Sequence, residues 1–151
     1  MPQAPELEVR PDGLHLAITA DPVSIRDGLA RMLAVPPLAL MKPDARSMAE
    51  LVLAEVLNNV AEHAYAETTG TVEITLVKVA GGLSCLIVDH GVAMPGGALP
   101  KGSLPGKRST LPEDLPEGGF GWHLIRKLTR SLDYSRIGNQ NRLNFTLSTA
   151  D

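Results

Sequence analysis

The chain has 151 residues, 44% of them hydrophobic, and 14 Lys and Arg against 17 Asp and Glu give a formal net charge of −3. That length suits one domain with a real core, and a slightly acidic chain without a basic patch is a poor sequence-independent nucleic-acid binder. A single cysteine, Cys85, excludes an internal disulfide framework, no apolar run reaches membrane-spanning length, and MPQAPELEVRPDG lacks the apolar core of a signal peptide, so a cytoplasmic protein is expected.

In chain order, LEVRPDGLHLAIT reads as a strand region with a Pro-Asp-Gly turn inside it, and Leu14, Leu16 and Ile18 alternate as in a half-buried strand. DPVSIRDGLARMLA predicts a helix with Asp21 as N-cap, Pro22 at the first position, and Ile25, Leu29, Met32 and Leu33 on one face. VPPLALMKP interrupts the pattern, and a second helix is predicted from about Asp44 to Ala66. TVEITLVKV and LSCLIVD follow as two strands joined by Ala80-Gly81-Gly82. The stretch from Gly91 to Gly119 is rich in Gly and Pro. FGWHLIRKLTRSLDY then predicts a third long helix, and NRLNFTLST a closing strand. There is no internal repeat and no heptad array.

The second predicted helix carries AEVLNNVAEHAY. Glu55, Asn59 and His63 recur there at steps of four, which places them on one ridge of an otherwise apolar helix. The ridge suits either an exposed polar stripe or a magnesium–nucleotide site. In the second case an amide oxygen ligates Mg²⁺ beside phosphate oxygens, and a carboxylate one turn earlier serves as a base. Of the adjacent pair, Asn59 is preferred to Asn58 because it is four residues from both Glu55 and His63. Asp89-His90-Gly91 reads as a capped turn or as a base contact, since a carboxylate accepts from the exocyclic amine of adenine.

The long Gly/Pro segment is a surface loop or a functional lid. It begins after a strand that ends in Asp89 and finishes at a helix N-terminus, where free N–H groups and the helix dipole favour phosphate. Gly119 and Gly121 would let backbone approach such a ligand. The Gly-x-Gly is no dinucleotide fingerprint, lacking a third glycine and a preceding strand. GSLPGKRST is no phosphate-binding Walker loop, because Arg108 follows Lys107 where Ser or Thr is needed. His15, His90 and His123 show no metal-ligand spacing, Cys85 reads as an inert core thiol, and Lys101, Lys107 and Arg108 read as a solvated loop face or a source of charge for phosphates.

In this order, Glu-x3-Asn-x3-His, Asp-x-Gly, a Gly/Pro lid and Gly-x-Gly resemble the GHKL ATPase superfamily. This is the Bergerat fold shared by gyrase, histidine kinases and MutL, and the resemblance spans nearly the whole chain. The short format and EVLNNVAEHAY are most similar to the anti-sigma-factor serine kinases. The resemblance implies an α+β, two-layer sandwich in which helices cover one face of a mixed, mostly antiparallel sheet. Residues 1–151 would form one ATP-binding domain with residues 92–118 as the lid.

It also implies roles. Asn59 would ligate Mg²⁺, Glu55 would be the catalytic base, and His63 would share the nucleotide side of the ridge. Asp89 would read the adenine amine and Gly91 would admit the base. Gly119 and Gly121 would approach the phosphates, and Thr146 would lie near the adenine. Two positions depart from the family pattern: Ala93 stands where a further glycine is usual, and Trp122 replaces a small aliphatic residue. The implied function is a serine kinase that uses Mg-ATP to phosphorylate a STAS-domain anti-anti-sigma protein and otherwise sequesters a sigma factor. It would act away from membranes and nucleic acid, with a homodimer possible. The alternative is a degenerate, non-catalytic binding or phosphotransfer adaptor. A histidine kinase fits less well, because the sole upstream histidine, His15, falls in a strand pattern.

Overall fold

Pro11 and Asp12 turn Leu7–Arg10 (β1) back onto Gly13–Thr19 (β2), the first hairpin of a computed structural model that describes residues 7–100 and 119–149. Leu14, Leu16 and Ile18 point from β2 into the core, as their alternation predicts. Helix α1 (Pro22–Leu33) then starts at the expected cap. Ser24 donates its amide and its hydroxyl to the Asp21 carboxylate at 2.8 Å each, and these bonds, the amide's first, hold the Asp21 carboxyl below its ordinary range. Ile25, Leu29 and Met32 are buried and Leu33 is half-buried, so the helix lays the predicted face on the sheet.

Helix α2 (Pro43–Asn59) buries Ala49, Val52, Leu53, Val56 and Leu57, the three-and-four spacing of a single seam. It lies between α1 and α3 (Gly119–Leu128). Thr71–Val79 (β3) and Gly82–Asp89 (β4) form the second hairpin, and Arg130–Ile137 (β5) and Gln140–Ser148 (β6) the third. The six strands run in the order β1-β2-β3-β4-β6-β5. Val72, Ile74 and Leu76 of β3, Leu83, Cys85 and Ile87 of β4, and Leu143, Phe145 and Leu147 of β6 join the helices in one core cluster. Helices on one face of a sheet therefore make the expected α+β sandwich. Burial pushes the Cys85 thiol pKa up, in keeping with an inert core group.

Three expectations change. Every strand pairing among the described residues is antiparallel, so the sheet is not mixed. The third helix ends at Leu128, and the segment expected to continue it to Tyr134 is β5. Ser131, with φ 56°, marks the irregularity between Arg130 and Asp133, after which Asp133 to Ile137 pair with β6. Ladder bonds and the burial of Tyr134 beside Leu143 override the helical propensity of Leu and Arg. Finally, the α-helix holding the Glu55 ridge gives way at Val60 to a π-turn, Val60–Ala64. Of the expected lid, residues 92–100 are described and 101–118 lie outside the described residues. Met94 and Leu99 pack on the core, and Arg126 of α3 donates to the carbonyls of Pro100 (2.9 Å) and Leu99 (3.4 Å).

Leu53 is fully buried at the centre of the α2 seam. Leu53→Ala should therefore cost about 2–5 kcal/mol. In urea titration the midpoint falls while the slope stays constant.

Candidate functional site

Helix α2 brings two of its three ridge residues to the same place. Asn59 is 5% exposed, whereas the neighbouring Asn58 is on the surface, so the fold distinguishes the two amides. Asn59 Nδ2 is the one buried side-chain nitrogen or oxygen without a hydrogen-bond partner among the described residues. Leaving such a group unpaired costs about 1–3 kcal/mol, and native proteins rarely tolerate it without a ligand or water. One turn earlier, the half-buried Glu55 lies against the first turn of α3. A Cβ built on Gly121, the third residue of that helix, would come within 2.5 Å of Glu55 Oε2. A carboxylate is well placed there, beside the free N–H groups and the positive end of the helix dipole.

His63 leaves the ridge. In the π-turn the Tyr65 N–H donates to the Val60 carbonyl at 3.1 Å, a five-residue step that rotates the following side chains off the Glu55–Asn59 line. His63 is exposed as a result.

The same turn receives the Asp89 loop. The Val92 N–H donates to the Ala64 carbonyl at 2.9 Å. Gly91 packs so closely that a Cβ would meet that oxygen at 2.2 Å. The Tyr65 hydroxyl donates to the Thr71 carbonyl and accepts from the His90 N–H, both at 2.8 Å, and burial pushes the phenol pKa up, keeping it neutral. Asp89 itself is 5% exposed at the end of β4, and its Oδ1 accepts from the Gly91 N–H and from Asn141 Nδ2, each at 2.8 Å. Asn141 also donates to the Val92 carbonyl at 2.8 Å, and its Oδ1 accepts from the Tyr134 hydroxyl and from Arg136 Nη1. Arg136 reaches the Gly91 carbonyl at 2.6 Å, and the Tyr134 hydroxyl accepts from the Met94 N–H at 3.0 Å.

Asn141, Tyr134, Arg136 and Tyr65 escaped the sequence reading. Tyr134 ends the segment expected to be helix, and Arg136 falls between that segment and the expected closing strand. Asn141 opens the closing strand, and the available signal was the Gly138-Asn139 turn before it, which predicts a hairpin and so a strand on each side.

Thr146 is not brought to this site. It pairs with Ser84, five residues along β4 from Asp89 or roughly 17 Å, and it alternates with the buried Phe145 and Leu147, so it lies on the sheet face away from the helices. Gly119 opens α3. Trp122 is buried in the core cluster and Ala93 is exposed. A separate cleft of about 430 Å³, lined by Glu8, Arg10, His15, Thr75 and Val77 among others, opens at the β1–β3 end of the sheet. There His15 bonds Thr75 at 2.9 Å and approaches Glu73 at 3.5 Å. No described helix is long and apolar enough to cross a membrane.

A family profile described as "Histidine kinase-like ATPase domain" matches residues 18–147. Curated relatives include the "Serine-protein kinase RsbW" of Bacillus thuringiensis (strain Al Hakam) and that of Bacillus cereus (strain 03BB102). Each is 30% identical over 79 residues, 52% of this chain and 49% of the relative. The same figures hold for the protein of that name in Bacillus anthracis (strain CDC 684 / NRRL 3495). The match thus spans about half the length of these relatives. Among solved structures, the histidine kinase domain of a blue-light activated histidine kinase from Erythrobacter litoralis EL346 aligns with a TM-score of 0.47 at 20% identity, covering 70% of this chain and 45% of that one.

Two glycine substitutions should behave oppositely. Gly91→Ala drives a methyl group into the Ala64 backbone, which cannot yield cheaply, and should destabilise the fold by at least about 1 kcal/mol. Gly121→Ala meets only the mobile end of Glu55 and removes a helical glycine, so thermal unfolding should show little loss or a small gain. Equal losses in Tm for the two variants would contradict this account of the site's packing.

Proposed function

Since the chain belongs to the histidine kinase-like ATPase domain family, we propose that it binds Mg-ATP between α2, the Asp89 loop and the N-terminus of α3, and transfers the γ-phosphoryl group to a serine hydroxyl of a STAS-domain anti-anti-sigma protein. In its other complex it sequesters a sigma factor. The whole of residues 1–151 forms the ATP-binding domain in this reading, with residues 92–118 as the lid. The observation that carries the reading is the buried Asn59 Nδ2, which finds no acceptor among the described residues and suits a phosphate oxygen, one turn beyond a carboxylate lying at a helix N-terminus; the oxygen of the same amide is the atom that would take Mg²⁺. An inert helix would not keep an amide there at that cost.

The residues present fit a magnesium nucleotide. Among the described residues no cluster of three His, Cys, Asp or Glu side chains could hold a metal alone, and Mg²⁺ does not need one, since it takes one or two protein oxygens together with phosphates and water. Asn59 is the residue that would hold it, and the bound ion would neutralise charge on the phosphate oxygens. Glu55 accepts the proton of the serine hydroxyl as its oxygen attacks the γ-phosphorus, and ADP departs with the electrons of the broken P–O bond. The first turn of α3 offers its N–H groups to the phosphates. Asp89, whose Oδ1 is doubly occupied, presents Oδ2 to the adenine amine. His63 and Thr146 take no part.

The kinase step is supported by the name of the relatives, serine-protein kinase, and the sigma-factor and STAS partners by the resemblance to anti-sigma-factor kinases. Unphosphorylated STAS protein should displace the sigma factor, and the phosphate's added charge should end that binding.

Incubation with [γ-³²P]ATP and STAS proteins from the same genome should label a STAS serine. Glu55→Gln should still bind ATP but transfer phosphate ~10²–10⁴-fold more slowly. Asn59→Ala should lose the magnesium-dependent part of nucleotide binding. Calorimetry should show ATP preferred to GTP. A STAS partner that binds tightly and is never labelled would favour the non-catalytic adaptor.

A further inference from the structure

The amide of Asn141 has both ends fixed by partners of opposite kind. Arg136 can only donate, so the amide end facing it must be the oxygen. The Tyr134 hydroxyl accepts from the Met94 N–H and so directs its own hydrogen to the same oxygen. The NH₂ end is thereby aimed at the Asp89 carboxylate and the Val92 carbonyl. Two donors on the oxygen and two acceptors on the nitrogen use the whole capacity of the side chain, and Asn141 is 6% exposed. The Asn141 amide is thus fully satisfied, and such bonding fixes one geometry.

Its effect falls on Asp89. With Oδ1 receiving the Gly91 N–H and Asn141 Nδ2, the carboxyl plane is held by two donors. Oδ2 accepts from none of the described residues. We propose that Asn141, oriented by Tyr134 and Arg136, is a positioning residue that sets base specificity: it holds Asp89 so that Oδ2 meets a 6-amino purine and opposes a 6-oxo purine. The inference rests on the reading that Asp89 contacts the base. A site built around a fixed acceptor rejects an analogue that presents another acceptor, because both groups then lose their water without gaining a partner. A freely rotating Asp89 could move aside and would discriminate less.

The test compares binding of Mg-ATP and Mg-ITP, which differ at position 6 and in the adjacent ring proton, to the full chain by calorimetry. The wild-type protein should prefer ATP by roughly tenfold or more. Asn141→Leu keeps the volume and removes the donors, and it should bring the ATP-to-ITP ratio toward one, mainly through weaker ATP. If Asn141→Leu does not fold, the Tyr134→Phe/Arg136→Leu double variant frees the amide to turn over and should lower the same ratio. A merely structural role would weaken both nucleotides together and leave the ratio unchanged, and that result overturns the inference alone. A wild-type ratio of one overturns the base contact at Asp89 and the inference with it.

Discussion

The π-turn at Val60–Ala64 decides where everything else in the site can stand. By stepping five residues, it ends the α2 ladder just past Asn59 and turns the Ala64 carbonyl toward the Val92 N–H. It also places Tyr65 so that one hydroxyl bridges the Thr71 carbonyl at the start of β3 and the His90 N–H at the end of β4. The Asp89 loop is drawn onto the helix end so tightly that only glycine fits at position 91. A regular helix through Ala64 would have kept His63 on the Glu55–Asn59 line and left the Asp89 loop without this anchor. Departures of this kind from α-helical geometry are frequent at functional sites.

Around that anchor the polar groups divide into two sets. Asp89, Asn141, Tyr134 and Arg136 bond one another and the backbone of residues 91–94, and Asn141 leaves no capacity unused. Asn59 has a buried nitrogen that pairs with none of the described residues. A protein that satisfies one buried amide four times and leaves another open has placed the open one for something else. The contrast also separates rigidity from reception. One set fixes the loop, and in the proposed site the other would meet a phosphate beside Glu55 and the first turn of α3.

Much of this was legible in the chain. The Asp21 cap, the alternation of Leu14, Leu16 and Ile18, and the seam of α2 follow from local rules, and the structure repeats them. The sandwich class was implied by the resemblance that the order of motifs carries, whereas the closeness of Glu55 to Gly121 emerges only in the fold. What was not legible came from long-range pairing. Arg130–Ile137 has helix-compatible composition and becomes a strand because β6 lies beside it, which is a tertiary override of propensity. With β5 hidden, Tyr134 and Arg136 could not be seen as partners of Asn141. Thr146 was carried to the base by resemblance, whereas the register sets Asn141, not Thr146, opposite Asp89. His63 followed a period of four that the backbone abandons at Val60.

In the proposed site Asn59 receives the metal of a bound nucleotide. Replacing Mg²⁺ with Mn²⁺ in an NMR titration with ATP tests it directly, because a paramagnetic ion broadens resonances steeply with proximity. The side-chain amide signal of Asn59 should disappear first, ahead of those of the neighbouring Asn58 and of Asn139 at the β5–β6 turn, and only when ATP is present. An Asn59 signal that stays sharp while distant amides broaden, or broadening that needs no ATP, would contradict the account.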